Sequence, residues 1–169
     1  IIPSLEYLYA PTIFLMQKSI RWEQLSEMHG EVSTVASLDR FFTQRTLIAC
    51  HDAGAAQMIL DNTSKDLLRA CTLALRGPAT RIFSDYESVD ADGPSFLTDV
   101  DNVVTGTGWQ TTHELQVLAE ANRNGIRNVA VVDRATNYEL RFSRDGFVVS
   151  PSVILLPEYE ISKLPQNSD

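Results

Sequence analysis

The sequence predicts a three-layer α/β domain with a mainly parallel sheet of about five strands, preceded by N-terminal helices. From residue 46 onward, short runs with strand character alternate with segments of helical periodicity, and this alternation favours right-handed crossovers between parallel strands. The runs are apolar at consecutive positions, which is typical of strands covered by helices on both faces. The predicted architecture is therefore Rossmann-like.

Five apolar runs are the predicted strands: residues 46–50, 71–75, 102–105, 128–133 and 152–157. The helix predicted after the third strand, over residues 111–125, has the strongest signals. Thr111 and Glu114 fit a capping box, and Leu115 and Leu118 begin one apolar face. Gly125 is suited to the left-handed residue that ends a helix.

The first 45 residues form a predicted helical segment with a different pattern. Pro11 and Gly30 fit the start and the end of a helix, and a second short helix is predicted from Ser37. The sequence thus predicts two parts, an N-terminal helical segment over residues 1–45 and a Rossmann-like domain over residues 46–169.

Composition limits the classes of function. The formal net charge of −8 and the pI of about 4.8 argue against nucleic acid as a partner, because an acidic surface repels a phosphate backbone. The two cysteines have no zinc or disulfide spacing, and no positively charged leader or apolar run of membrane-spanning length occurs. We expect a cytoplasmic protein without a membrane span and without a metal or other cofactor.

Unusual residues follow four of the predicted strands, where ligands bind in an open parallel sheet. We expect these corners to meet along one rim and hold one small molecule. The candidates are His51, Asp52 and Gly54 after the first strand, Gly77 after the second, Gly106, Thr107, Gly108, Trp109 and Thr111 after the third, and Asp133, Asn137 and Arg141 after the fourth.

His51 and Asp52 are the candidate catalytic residues. An imidazole titrates near neutral pH and can move a proton. In the structural alternative, Asp52 caps the following helix and His51 bonds to a backbone carbonyl. His113, in the first turn of a later helix, either faces an anionic ligand or is a solvated surface residue.

The segment TGTGWQT, residues 105–111, predicts a loop that a ligand approaches closely. Its glycines and the following helix N-terminus suit a phosphate or a polar sugar oxygen, and Trp109 could stack on a sugar or base. A tight turn that only packs is the alternative. Gly106, Gly108 and Asp133 also resemble part of a dinucleotide fingerprint, but Thr111 stands where that fingerprint has Gly or Ala.

The last cluster surrounds Arg141. Asp133, Asn137 and Arg141 could orient ligand hydroxyls, and Arg141 could instead pair with Glu139 or Asp133 for structural reasons. The acidic loop over residues 85–99 lacks the ligand pattern of a metal site, so it is interpreted as a solvated loop.

The segments HDAGAA, GPATRIF, VVTGTGWQTTHELQVLAEANRNGIRNVAVVD and NYELRF resemble the amino-terminal half of glycosyltransferase-like proteins of the two-Rossmann (GT-B) architecture. They are also similar to uncharacterised bacterial proteins related to the nucleotide-sugar 2-epimerases, over about residues 45–160. The resemblance implies a first domain that binds the acceptor, with a catalytic base at the place of His51 or Asp52. It also implies that the loop at Gly106 and Gly108 lies near an interdomain cleft.

In contrast to that architecture, we expect these 169 residues to form one Rossmann-like domain without a second, donor-binding domain. We therefore expect either half of a longer or two-chain enzyme or a relative that binds without turnover. The first hypothesis is a glycosyltransferase-like domain that binds a sugar or nucleotide-sugar in polysaccharide or glycan biosynthesis. The alternatives are a non-catalytic Rossmann-like module that assembles with a partner chain or a second copy, and a dinucleotide-binding oxidoreductase fragment.

Overall fold

The structure is a computed structural model that describes residues 31–43, 45–90, 96–134 and 136–161. Within these ranges a parallel six-stranded sheet forms the centre of the fold. Its strands are β1 (Glu31–Thr34), β2 (Thr46–Cys50), β3 (Thr72–Leu75), β4 (Asn102–Thr105), β5 (Arg127–Val131) and β8 (Val153–Leu156). A small antiparallel hairpin consists of β6 (Ser143–Arg144) and β7 (Phe147–Val148). The predicted α/β fold with a mainly parallel sheet is confirmed.

Helices connect most of these strands. In chain order they are α1 (Ala53–Asp61), α2 (Lys65–Ala70), α3 (Ala79–Ile82), α4 (His113–Arg123), α5 (Tyr138–Phe142) and α6 (Glu158–Ile161), and a 3-10 helix spans Val35–Phe41. The predicted helix over residues 111–125 corresponds to α4. Gly125 follows it with a φ of +65°, so it provides the predicted left-handed stop, which a residue with a Cβ adopts only at a cost.

The helices cover both faces of the sheet. On one face, Ile48 and Cys50 of β2 pack in the same apolar cluster as Ile59 of α1. On the other face, Leu47 and Ala49 pack with Val117 and Ala121 of α4. Side chains of a strand alternate between the two faces, and both faces of β2 are apolar because both are covered. This arrangement gives the three layers that the sequence predicts.

The order of the strands across the sheet is β1-β8-β5-β4-β2-β3. The chain passes from β2 to β3 on one side and then returns to β4 on the other side of β2. In open α/β sheets a crevice forms at such a reversal, outside the carboxyl ends of the strands. Ala49 lies beside Thr105, and Thr105 beside Ala130, so the loops that follow β2, β4 and β5 start side by side.

The predicted N-terminal helical segment is wrong at residues 31–34. These residues form β1, which pairs with β8 in parallel and adds a sixth strand to the five predicted. The following residues form the 3-10 helix, and residues 1–30 lie outside the described residues. The sequence of β1, EVST, is half-exposed at the edge of the sheet, so it lacks the continuous apolar run that marks a central strand.

Candidate functional site

The candidate site is a cleft at the reversal of strand order between β2 and β4. Three loops form it, the ones after β2, β4 and β5, and α5 closes one side. Its lining residues are His51, Asp52, Gly108, Trp109, Gln110, Asp133 and Arg141. Six of these seven residues are among the predicted site residues, and Gln110 is the additional one. The sequence predicts His51, Gly106 and Asp133 on one rim. His51 and Asp133 do line this cleft, whereas Gly106 is buried and does not.

His51 is held by its backbone on both sides. Its N–H donates to Glu114 Oε1 at 2.7 Å, and its carbonyl accepts from Ala79 N at 3.1 Å. The ring lies against Gly77, where a Cβ would stand 2.4 Å from His51 Nε2. Gly77 also has a φ of +51°. Its missing side chain leaves the room that the imidazole occupies, but Gly77 itself does not line the cleft.

Asp52 performs the structural role that was the alternative for it. It is the N-cap of α1, and its two carboxylate oxygens accept from Gly54 N and Ala55 N, each at 3.3 Å. Such a cap satisfies backbone donors that have no partner inside the helix. The carboxylate of Asp52 is thus engaged in the helix cap, which leaves His51 as the candidate catalytic residue of the two.

Arg141 joins the loops after β4 and β5. Its guanidinium forms an ion pair with Asp133 at 3.0 Å, and its Nη1 donates to the carbonyl and to the hydroxyl of Thr107, both at 3.0 Å. Its Nε donates to the carbonyl of Thr136 at 2.9 Å. The structural pairing with Asp133, one of the alternatives predicted for Arg141, is therefore confirmed. Arg141 is a buried side chain that connects the loops after β4 and β5.

Gly54 and Asp133 are in close contact across the cleft wall. A Cβ on Gly54 would lie 2.5 Å from Asp133 Oδ2, so only glycine lets the start of α1 approach this carboxylate. Gly54 is predicted from the sequence as a substrate-binding residue, but it does not line the cleft. Its observed role is the close approach of a backbone to a neighbouring side chain.

Glu114 is a site residue that the sequence interpretation missed. The predicted capping box is wrong, because the N-cap of α4 is Thr112 without a side-chain bond and Glu114 reaches across to the β2 corner. Its side chain is buried, with only 1% of the residue exposed, and Oε1 accepts from the backbone N–H of His51 and of Asp52 at 2.7 and 3.3 Å. A signal was available: Glu114 shares a helix face with Val117, Leu118 and Ala121, which are all buried.

The remaining predicted residues are near the cleft but do not line it. Gly106 and Thr107 begin the loop after β4 and are buried, and the Thr107 hydroxyl donates to Val131 O at 3.1 Å. Thr111 is half-buried. Asn137 is exposed with a φ of +54° at the start of α5. His113 is buried with Nε2 2.9 Å from Ala74 O, so neither expectation for it, ligand-facing or solvated, is correct.

Carboxylates dominate the electrostatics of the cleft. Asp52 and Asp133 line it and Glu114 lies behind Gly108, whereas Arg141 provides the permanent positive charge among the lining residues. Burial raises the pKa of the neighbouring Cys50 thiol well above its usual value, and the negative charges of Glu114 and Asp52 raise it further. Cys50 is therefore a neutral packing residue at this site.

The cleft is small, with a volume of about 80 Å³, below the roughly 300–1,000 Å³ of pockets that enclose a drug-sized ligand. It can hold part of a ligand, such as one edge of a sugar ring. Across the described ranges, no group of three His, Cys, Asp or Glu side chains could hold a metal ion. None of the helices in the described part has the length and apolar character needed to cross a membrane.

Comparisons of the chain with protein-family models, with curated proteins and with solved structures found no match. The function is therefore inferred from the cleft and its side chains.

Proposed function

We propose that this chain is a glycosyltransferase-like domain that binds a sugar in the cleft between β2 and β4. The observation that carries the proposal is the convergence of His51, Asp133, Arg141 and the exposed ring of Trp109 on one cleft. Carboxylates and a guanidinium offer acceptors and donors to hydroxyl groups, and an aromatic face packs on the C–H face of a pyranose. The proposal keeps the sequence-based expectation of a two-Rossmann glycosyltransferase-like domain.

His51 is the proposed general base. Its imidazole would accept the proton of a sugar hydroxyl, whose oxygen then bonds to the anomeric carbon of an activated sugar while the bond from that carbon to the diphosphate oxygen breaks. Asp133 and Arg141 would orient the acceptor, and Asp52 would hold the start of α1. The small volume of the cleft supports a division of labour in which another domain or chain holds the nucleotide, in polysaccharide or glycan biosynthesis.

The binding part of the proposal is tested with saturation-transfer NMR over a panel of monosaccharides, nucleotide-sugars and NAD. We expect at least one sugar to bind and Trp109→Ala to weaken its binding. Val89→Ala is the matched control, because Val89 is similarly exposed and does not line the cleft. Binding of NAD without binding of any sugar would reject the proposal in favour of the oxidoreductase alternative.

The catalytic part is tested with His51→Gln once a sugar ligand is known. We expect this variant to keep sugar binding and to lose transfer to that sugar, because the amide cannot accept the proton. Transfer that persists at the wild-type rate would remove His51 from the role of base.

A second candidate function, a non-catalytic assembly module, is favoured by exposed apolar side chains near the cleft. Trp109, Leu140, Val148 and Tyr159 are each about half exposed. Arg144 donates to the carbonyl of Trp109 and Tyr159 to that of Asp133, so at least two of them belong to the cleft's surroundings. Self-association measured by light scattering, abolished by Trp109→Ala together with Tyr159→Ala and accompanied by no sugar binding, would favour this candidate.

A further inference from the structure

The carboxylate of Glu114 lies where a phosphate would bind in many α/β proteins. Oε1 accepts from the backbone N–H groups of two successive residues, His51 and Asp52. Successive N–H groups that converge on one point form an anion-binding arrangement, and the crevice at a reversal of strand order is where such arrangements hold phosphates. Here the anion is supplied by the chain itself.

The glycines of the β4 loop make room for this carboxylate. A Cβ on Gly106 would lie 3.1 Å from Glu114 Oε1, and a Cβ on Gly108 would lie 3.3 Å from the same atom. Both distances are tighter than ordinary contacts of a methyl group. A Cβ on Gly106 would also lie 2.8 Å from Cys50 Sγ, and a Cβ on Gly108 would lie 3.2 Å from Asp52 Cβ. The two glycines therefore accommodate both the chain after β2 and the carboxylate of Glu114.

The surroundings of Glu114 also disfavour a second anion. Oε2 is buried and has no hydrogen-bond partner within the described residues, and Asp52 and Asp133 add negative charge on the cleft side. The positive charge of the Arg141 guanidinium is already paired with the carboxylate of Asp133. A phosphate brought to Gly108 would meet like charges at short range, where Coulomb repulsion is strong.

We propose that Glu114 is a specificity-determining residue that fills the anion position between β2 and β4, so that the cleft binds hydroxyl groups and excludes phosphate. This inference rests on the proposed function and narrows it: the ligand of this cleft is the uncharged acceptor sugar. The diphosphate of a nucleotide-sugar must then be held outside the cleft. Glu114 is a positioning residue, because it acts through the backbone of His51 and Asp52.

The test replaces the internal anion with a soluble one. In Glu114→Ala the N–H groups of His51 and Asp52 lose their acceptor, and sodium formate should occupy the space and restore stability. At ten times its dissociation constant, formate would raise the folding equilibrium constant about tenfold. Thermal unfolding is followed with formate and, as the ionic-strength control, with sodium chloride. Inorganic phosphate is tested in the same way.

Wild type and Glu120→Ala serve as controls for this experiment. Glu120 lies on the same helix, is only partly buried and pairs with Arg123, so its removal opens no anion position. We expect no stabilisation of either control by formate beyond that by chloride. The amide resonances of His51 and Asp52 should shift with formate in Glu114→Ala alone. An unresponsive Glu114→Ala, or a wild type whose amides at these positions shift with phosphate, would overturn the inference.

Glu114→Gln keeps the test decisive if Glu114→Ala does not fold. The side-chain amide oxygen of this variant would still accept from the N–H groups of His51 and Asp52, but it would carry no negative charge. We expect inorganic phosphate to bind this variant roughly tenfold or more tightly than wild type, as removal of one nearby negative charge implies. Equal phosphate affinity in the two proteins would contradict a role for that charge.

The outcomes separate this inference from the proposed function. If wild type binds a sugar and also binds phosphate at the amides of His51 and Asp52, the inference fails and the sugar-binding proposal stands. If no sugar binds but formate rescues Glu114→Ala, the sugar-binding proposal fails and the internal-anion role of Glu114 stands.

Discussion

Replacement of Arg141 by Met should remove the ion pair and the hydrogen bonds that connect the loop after β4 to the loop after β5. In Arg141→Met the carboxylate of Asp133 loses its ion pair, and the carbonyls of Thr107 and Thr136 lose their donors. Methionine fills much of the same space without a charge. The change therefore tests the polar contacts of the arginine more than its volume.

The expected loss of stability follows from the burial of this pair. The side chain of Arg141 is 5% exposed and that of Asp133 is 20% exposed. Removal of one partner of a buried pair costs about 3–5 kcal/mol because the other charge stays buried. Asp133 keeps some contact with water, so we expect the lower end, about 3 kcal/mol. Small domains have about 5–15 kcal/mol in total, so the variant should still fold.

Urea unfolding measures this loss as a shift of the midpoint at constant slope. Arg69→Met is the matched control, since Arg69 and Asp66 form an exposed ion pair three residues apart on α2 and such pairs contribute little. Asp133→Asn is introduced into wild type and into Arg141→Met to complete a double-mutant cycle. The coupling energy between Arg141 and Asp133 should be about 1–3 kcal/mol. If Arg141→Met lowers the free energy of unfolding by less than about 1 kcal/mol, or if the coupling energy is near zero, the polar contacts of Arg141 do not stabilise the fold as argued.

Three further predictions concern stability. Asp52→Ala should cost about 1 kcal/mol in urea unfolding and Asp52→Ser much less, because serine also caps helices; equal losses would argue against the cap. Gly77→Ala should cost more than Gly125→Ala, since both have positive φ but only the Cβ at Gly77 would meet His51; the shift of the His51 ring protons by NMR checks the contact. Burial raises the pKa of Cys71 to about 12 from 9.0, so stability should fall between these two pH values as the unfolded chain alone loses the proton; Cys71→Ala should flatten that decline, and an identical alkaline profile would contradict the shift.

The central sheet was predictable because its strands carry a signal along the sequence. β2 and β4 are buried at every position because helices cover both faces of the sheet, and their apolar stretches, Leu47 to Cys50 and Val103 to Val104, carry that signal. β1 was missed for the opposite reason. As an edge strand it has a polar sequence and exposed positions, which cannot be told from loop or helix by hydrophobicity alone.

The position of the site was predictable from topology, but its internal contacts were not. The carboxyl ends of parallel strands converge whatever their side chains are, so His51 and Asp133 had to lie at the same edge. The bond between Glu114 and His51 joins residues 63 positions apart. The local sequence pattern instead suggested a capping box, which is a contact within one helix turn.

The glycine-rich loop after β4 shows why such a motif does not define its ligand. The glycines at positions 106 and 108 indicate only that a ligand or another part of the protein lies close to the backbone there. In a phosphate-binding loop the N–H donors at the crevice are left for the ligand, whereas here the first turn of α4 delivers a carboxylate that takes two of them. The informative residue is then the acidic one in the first turn on the buried face of the helix. In this chain that residue is Glu114, whose Oε1 accepts from the N–H groups of His51 and Asp52.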